Sequence, residues 1–126
     1  MSIQVIHSES APKAVGPYSQ ATVHAGVLYA SGQIGLDAKL GEMVGEGVEA
    51  QARQVTQNLT AVLQEAGAST SDILKVNIFL LDMEDFPLVN TIYAEWLGKH
   101  RPARATVAVA ALPLGAKVEM DLIARL

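Results

Sequence analysis

The period of apolar and polar residues changes several times along the chain, and each change marks an element. Ile3-Gln4-Val5-Ile6 alternates weakly, as a short strand does. Ala11 to Ser19, with Pro12, Gly16 and Pro17, reads as a loop, and Ala21 to Ser31 as a hairpin turning at His24-Ala25-Gly26. Residues 35–47 are glycine-rich and predict turns. From about Glu49 to Ala66 the period lengthens. Val48, Ala52, Val55, Leu59, Val62, Leu63 and Ala66 fall on one stripe at spacings of three and four, the pattern of an amphipathic helix that Gly67 stops. Leu74 to Leu81 is apolar at almost every position, which predicts a strand covered on both faces. A second helix follows, with Asp82 or Asp85 as N-cap, Pro87 in its first turn, and Phe86, Val89, Tyr93, Trp96 and Leu97 as its buried stripe. It ends near Gly98. Two further strands, Arg104 to Ala110 and Lys117 to Arg125, flank a turn at Pro113 and Gly115.

The order βββ-α-β-α-ββ predicts an α+β fold: one mixed sheet with two helices packed on one face, in a single domain spanning residues 1–126. Leu81 and Ile123 then point to the uncovered face, and self-association is the economical way to cover it. Half of the 126 residues are apolar and only 17% are charged, so a core can form without disulfides or metals. Cysteine is absent, which excludes thiolate metal sites and thiol nucleophiles. A formal net charge of −4 gives nucleic acid or an anionic membrane nothing to hold. With no signal-like N-terminus and no long apolar run, a cytoplasmic location is expected.

Candidate chemistry is sparse. His7, His24 and His100 are scattered, and no metal is expected. Gly45-Glu46-Gly47-Val48-Glu49-Ala50 formally matches a dinucleotide fingerprint, but it lacks a preceding buried strand and sets two carboxylates where a pyrophosphate would lie. A flexible loop is the better reading there. The last pair of strands is the informative region. Paired as an antiparallel hairpin with their apolar faces matched, they would place Arg104, Thr106, Glu119 and Asp121 on one surface. An ordinary cross-strand ion pair would look the same. The functional alternative is a recess in which arginine grips a carboxylate with two parallel hydrogen bonds and glutamate moves protons, suited to a small 2-oxo, 2-imino or 2-enamino acid.

Several motifs add to this. Gly16-Pro17-Tyr18-Ser19-Gln20-Ala21, Tyr29-Ala30-Ser31-Gly32-Gln33-Ile34, Gln51-Ala52-Arg53-Gln54 and Asn58-Leu59 stand in order along the chain. Asp85-Phe86, Val89-Asn90, Tyr93, Pro102-Ala103-Arg104-Ala105, Val109-Ala110-Ala111-Leu112-Pro113 and Lys117-Val118-Glu119 follow them. In this order and spacing they resemble the YjgF/RidA family of reactive-intermediate deaminases over essentially the whole chain.

That resemblance implies a chorismate-mutase-like fold and a homotrimer whose sheets wrap a central barrel, with a cleft at each subunit interface. It implies a 2-iminobutanoate/2-iminopropanoate deaminase, a cofactor-independent hydrolase that converts 2-imino and 2-enamino acids from pyridoxal-phosphate dehydratases to 2-oxo acids and ammonia. Carried over by position, Arg104 binds the carboxylate and Glu119 activates water, while Tyr18, Ser31, Gly32 and Asn90 line the cleft. Thr106 stands where many relatives carry cysteine and would meet ligand through its backbone. Two alternatives stay open. One is an RNA-cleaving translation inhibitor, disfavoured by the acidic charge; the other is a non-catalytic 2-oxo acid binding protein, which would have no need of Glu119.

Overall fold

The structure is a computed structural model and describes residues 2–126. Strands β1 (Gln4–Ile6), β2 (Ala21–His24) and β3 (Val27–Gln33) form an antiparallel meander. Helix α1 (Val48–Glu65) follows, then β4 (Ile73–Leu80), α2 (Phe86–Leu97), β5 (Ala103–Ala108) and β6 (Val118–Arg125). The six strands make one sheet in the order β1-β2-β3-β6-β4-β5.

Periodicity decides what packs where. The α1 stripe Ala52, Val55, Leu59, Val62 and Leu63 is buried against the sheet together with Leu28, Ile78, Leu80, Met120 and Leu122. Each of these larger side chains contributes about 1.5–3 kcal/mol by leaving water, so Leu59→Ala would cost about 2–5 kcal/mol. At the C-terminal end of α1, Gly67 takes φ +82°. This lets the Gly67 N–H donate to Gln64 O (3.0 Å) and the Ala68 N–H to Leu63 O (2.9 Å), which satisfies carbonyls that the helix end would leave unpaired.

The two helices cover one sheet face, as expected. The other face carries Thr22, Tyr29, Asn77, Phe79, Val107, Asp121 and Ile123, with the Asn77 side-chain amide donating to Asp121 Oδ1 at 2.9 Å. Val5, Tyr29, Leu81 and Val107 are exposed there. Within this chain, then, the helices cover β4 on one face only. Val76, Ile78 and Leu80 are buried under the helices, whereas Leu74 and Leu81 are exposed within this chain.

The closing hairpin is corrected. β5 pairs in parallel with β4, and β6 lies on the other side of β4. A strand–helix–strand connection through α2 returns β5 to the sheet in the direction of β4, as a crossover does. The segment between β5 and β6 then passes over the end of β4, where the Val109 N–H donates to Leu80 O (2.8 Å) and the Leu81 N–H to Lys117 O (3.1 Å).

Candidate functional site

Register settles where the candidate residues lie. Arg104 pairs with Val76 and Thr106 with Ile78, so both sit on the helix-covered face at the sheet edge. Glu119 pairs with Phe79 and Asp121 with Asn77, on the open face. The single surface expected for Arg104, Thr106, Glu119 and Asp121 does not form. With β4 inserted between them, the alternate positions that match Glu119 and Asp121 on β5 are Val107 and Ala105. The structure instead builds two recesses.

The first recess, about 490 Å³, lies between α2 and the edge strand, with Asn90, Tyr93, Arg101, Pro102 and Arg104 in its wall. Phe86, Asn90 and Tyr93 recur at spacings of four and three and so share one side of α2. The guanidinium carbon of Arg104 stands 5.3 Å from the Phe86 ring centre and 5.0 Å from that of Tyr93. Its Nη1 donates to Asn90 Oδ1 at 2.6 Å. Stacking and a directed hydrogen bond fix the plane of the fork while its charge stays accessible. No acidic side chain pairs with Arg104 among the described residues. Burial pushes the Tyr93 hydroxyl above its ordinary range, with Arg104 and Arg101 pulling the other way, so it stays a neutral phenol. That hydroxyl and the Thr106 hydroxyl are both buried and find no hydrogen-bond partner among the described residues.

The second recess, about 300 Å³, holds Glu119 with Lys13, Val15, Tyr18, Gly32, Pro113 and Leu114. Backbone irregularity shapes it. Between Ala30 and Gln33 the register of β3 on β6 slips by one residue, so that Ser31 and Gly32 together oppose Asp121. Such a bulge bends a strand and re-aims its side chains. Gly32 is required at close approach: a Cβ there would lie 2.8 Å from Glu119 Oε2. Ser31 fastens the loop that carries Tyr18, its N–H donating to Gln20 O (2.9 Å) and its hydroxyl to Ser19 O (2.6 Å). The buried Gln20 amide holds the base of that loop, accepting from Ser8 N–H (2.6 Å) and donating to Pro12 O (2.8 Å). Tyr18 is half exposed, and its hydroxyl accepts weakly from the Val15 N–H at 3.4 Å. Desolvation, and secondarily the charge of Asp121, raise the Glu119 carboxyl above the usual carboxylate range.

Of the residues singled out from sequence, Tyr18, Gly32 and Glu119 therefore meet in one recess, with Ser31 beside them as a loop fastener. Asn90 and Arg104 meet in the other, with Thr106 two residues along the same strand. Phe86 and Tyr93 belong both to the buried stripe and to the motifs, and neither marks them as partners of Arg104. The signal that marks them is a polar residue, Asn90, set into their apolar stripe. Lys13 and Leu114 had no signal in the motifs. No group of three or more His, Asp or Glu residues is placed to hold a metal ion among the described residues. No helix among them is long and apolar enough to cross a membrane.

Comparison with known proteins places the chain in a family. A family model described as Endoribonuclease L-PSP matches residues 8–126. The chain is 51% identical to Protein DfrA of Myxococcus xanthus, over 98% of this chain and 96% of that protein. It is 40% identical to the human 2-iminobutanoate/2-iminopropanoate deaminase, over 96% and 88%. Its fold matches the crystal structure of a putative endoribonuclease L-PSP from Entamoeba histolytica with a TM-score of 0.97 at 50% identity, covering 99% of this chain and all of that one.

Proposed function

The chain belongs to the endoribonuclease L-PSP family, the YjgF/RidA family that its motifs resemble, and from that premise we propose that it is a deaminase of 2-imino and 2-enamino acids. The observation that carries this reading is Glu119: a partly desolvated carboxyl with a raised pKa, set against bare backbone at Gly32 in a recess. A group of that kind exchanges protons near neutral pH more readily than an ordinary glutamate. A protein that only carries 2-oxo acids gains nothing from a carboxylate beside an anionic ligand. An RNA groove, in turn, calls for positive charge that a chain of net −4 lacks.

The steps follow from the groups present. Arg104, held in plane by Asn90, Phe86 and Tyr93, takes the substrate carboxylate through two parallel hydrogen bonds. Glu119 accepts a proton from water as the water oxygen bonds to the imine carbon, and the imine nitrogen gains a proton. The resulting carbinolamine loses ammonia as its hydroxyl proton departs, leaving the 2-oxo acid. Water supplies the oxygen and both protons balance. Tyr18 and the backbone at Gly32 and Thr106 complete the wall around the substrate.

Because Arg104 and Glu119 occupy separate recesses, this reading assembles the working site from two copies, the arginine recess of one facing the glutamate recess of the next. A head-to-tail contact of this kind closes into a ring, and a homotrimer buries the exposed Val5, Tyr29, Leu81 and Val107 of the open sheet face. The test couples a serine or threonine dehydratase to the protein in the presence of semicarbazide, which traps the imine. Faster 2-oxo acid release and less trapped imine are expected with wild type, and neither with Arg104→Ala. Equal behaviour of the two proteins would refute the assignment.

A further inference from the structure

Leu114 borders the glutamate recess in a backbone conformation that its turn demands and that leucine does not favour. Its φ and ψ are +56° and +26°, in the left-handed region, and Gly115 follows at φ +69°. The Gly115 N–H donates to Leu112 O (3.3 Å) and the Ala116 N–H to Pro113 O (3.0 Å), so two overlapping turns both need a left-handed residue at 114. Such positions take glycine or asparagine, and a branched apolar residue there is strained. The one other non-glycine with positive φ among the described residues is Ala25, which with Gly26 makes the tight β2–β3 hairpin turn, where strand twist demands that geometry and the side chain is a single methyl. No hairpin constrains Leu114.

Nor does the core repay the strain. Leu114 is 73% exposed, yet it borders the same recess as Glu119, beside Val15, Tyr18 and Pro113. A strained, solvent-facing leucine kept next to a proton-exchanging carboxyl gains its compensation from something that binds there. On the deaminase reading, the carboxylate end of the substrate goes to Arg104 and the reacting carbon to Glu119, which leaves the substrate's own side chain as the apolar part still to be placed. We propose that Leu114 is a specificity-determining residue that packs against the aliphatic side chain of the imino acid and favours longer chains over a bare methyl. The inference rests on the deaminase reading for its substrate, and on the turn geometry and exposure for its residue.

The test compares wild type with Leu114→Asn and Leu114→Gly, both of which accept the left-handed backbone. Imines bearing a methyl or an ethyl side chain are generated in situ, and the ratio of their kcat/KM values is measured. The ethyl-to-methyl ratio is expected to fall about tenfold in both variants, the low end of what one methylene contributes in an apolar pocket. Their Tm should not fall, because the substitutions relieve strain. An unchanged ratio would overturn the proposal. So would loss of the oligomer in sedimentation, which would make Leu114 a contact between copies. If wild type fails to accelerate 2-oxo acid release at all, the deaminase reading falls by itself. Calorimetric titration with 2-oxopropanoate and 2-oxobutanoate then reads the pocket directly: a wild-type preference for the longer acid that Leu114→Asn loses supports the role, and equal discrimination by both proteins removes it.

Discussion

Arg104 and Glu119 are set on opposite faces of one sheet with β4 between their strands, and the molecule holds them by different means. The arginine is fixed by side chains: two rings and an amide from a single side of α2 leave the guanidinium little freedom. The glutamate is fixed by backbone: a bulge, a glycine without which it would not fit, and a loop tied down by Ser31 and Gln20. The electrostatics differ as well. The arginine keeps an accessible charge that no carboxylate pairs with among the described residues, as a group that binds an incoming anion must. The glutamate is partly stripped of water, so that its charged form is less favoured, as a group that takes up and returns a proton must be. A recess made of side chains confers affinity, and one made of backbone places a reacting group.

The sharpest way to test this division is Glu119→Gln, which is expected to lower kcat by about 10²–10⁴-fold with little change in KM, in steady-state assays of 2-oxo acid release. In the wild type, kcat should fall on acidification through the Glu119 pKa, and this limb should lie above the usual carboxylate range because burial raises that pKa. Arg104→Ala should act on the other parameter, reducing kcat/KM about a hundredfold, mainly through KM. Mixing the two impaired variants at substrate well below KM, with subunits allowed to exchange, should restore part of the activity, since some contacts then pair an intact arginine recess with an intact glutamate recess. No recovery would mean that the two groups do not work across copies. Gly32→Ala is expected to lower kcat about tenfold to a hundredfold with the fold retained, because the atoms nearest the new methyl all belong to the Glu119 side chain, which must shift. Asn90→Ala, which frees the Arg104 fork to rotate, should raise KM about tenfold.

The smallest effect is on stability. A carboxyl whose pKa is raised by folding contributes stability that is fully present below its unfolded pKa and is lost as pH rises through the folded one. Near neutrality, then, the folded protein bears the cost of an ionised Glu119, and Glu119→Gln should raise Tm slightly, by less than about 3 °C in thermal melts. A variant that is more stable and nearly inactive is the signature of a group kept for chemistry.

Much of the fold was legible because period reports which face a residue takes. The stripe from Val48 to Ala66 and the alternation in β6 lead to the helix and strand observed. What period does not report is the neighbour. Arg104 to Ala110 and Lys117 to Arg125 look like a hairpin because only a turn separates them, yet the partner of β5 is fixed by the α2 crossover, a longer-range constraint that strand–helix–strand order already contained. That one misplaced pairing put Arg104 and Glu119 on a common surface. The motifs contain residues that line both recesses, but spacing along a chain carries no mark of whether two groups meet within it. Leu114 carries no such mark either, because Pro113 and Gly115 announce a turn without saying that the left-handed position falls on the leucine between them.

The place of β6 has a consequence for how the molecule is made. It is the strand that joins the meander β1–β3 to the unit β4–β5, and it is translated after all the others. Until it emerges from the ribosome, two partial sheets wait with unpaired edges at β3 and β4, both carrying apolar residues that end at essentially zero exposure. The meander can form early, because its pairings are local, whereas the sheet closes only when its central strand arrives. The nascent chain therefore keeps both edges unpaired until β6 is available. A slow stretch of translation before Val118 would prolong that interval without altering a single contact of the finished protein.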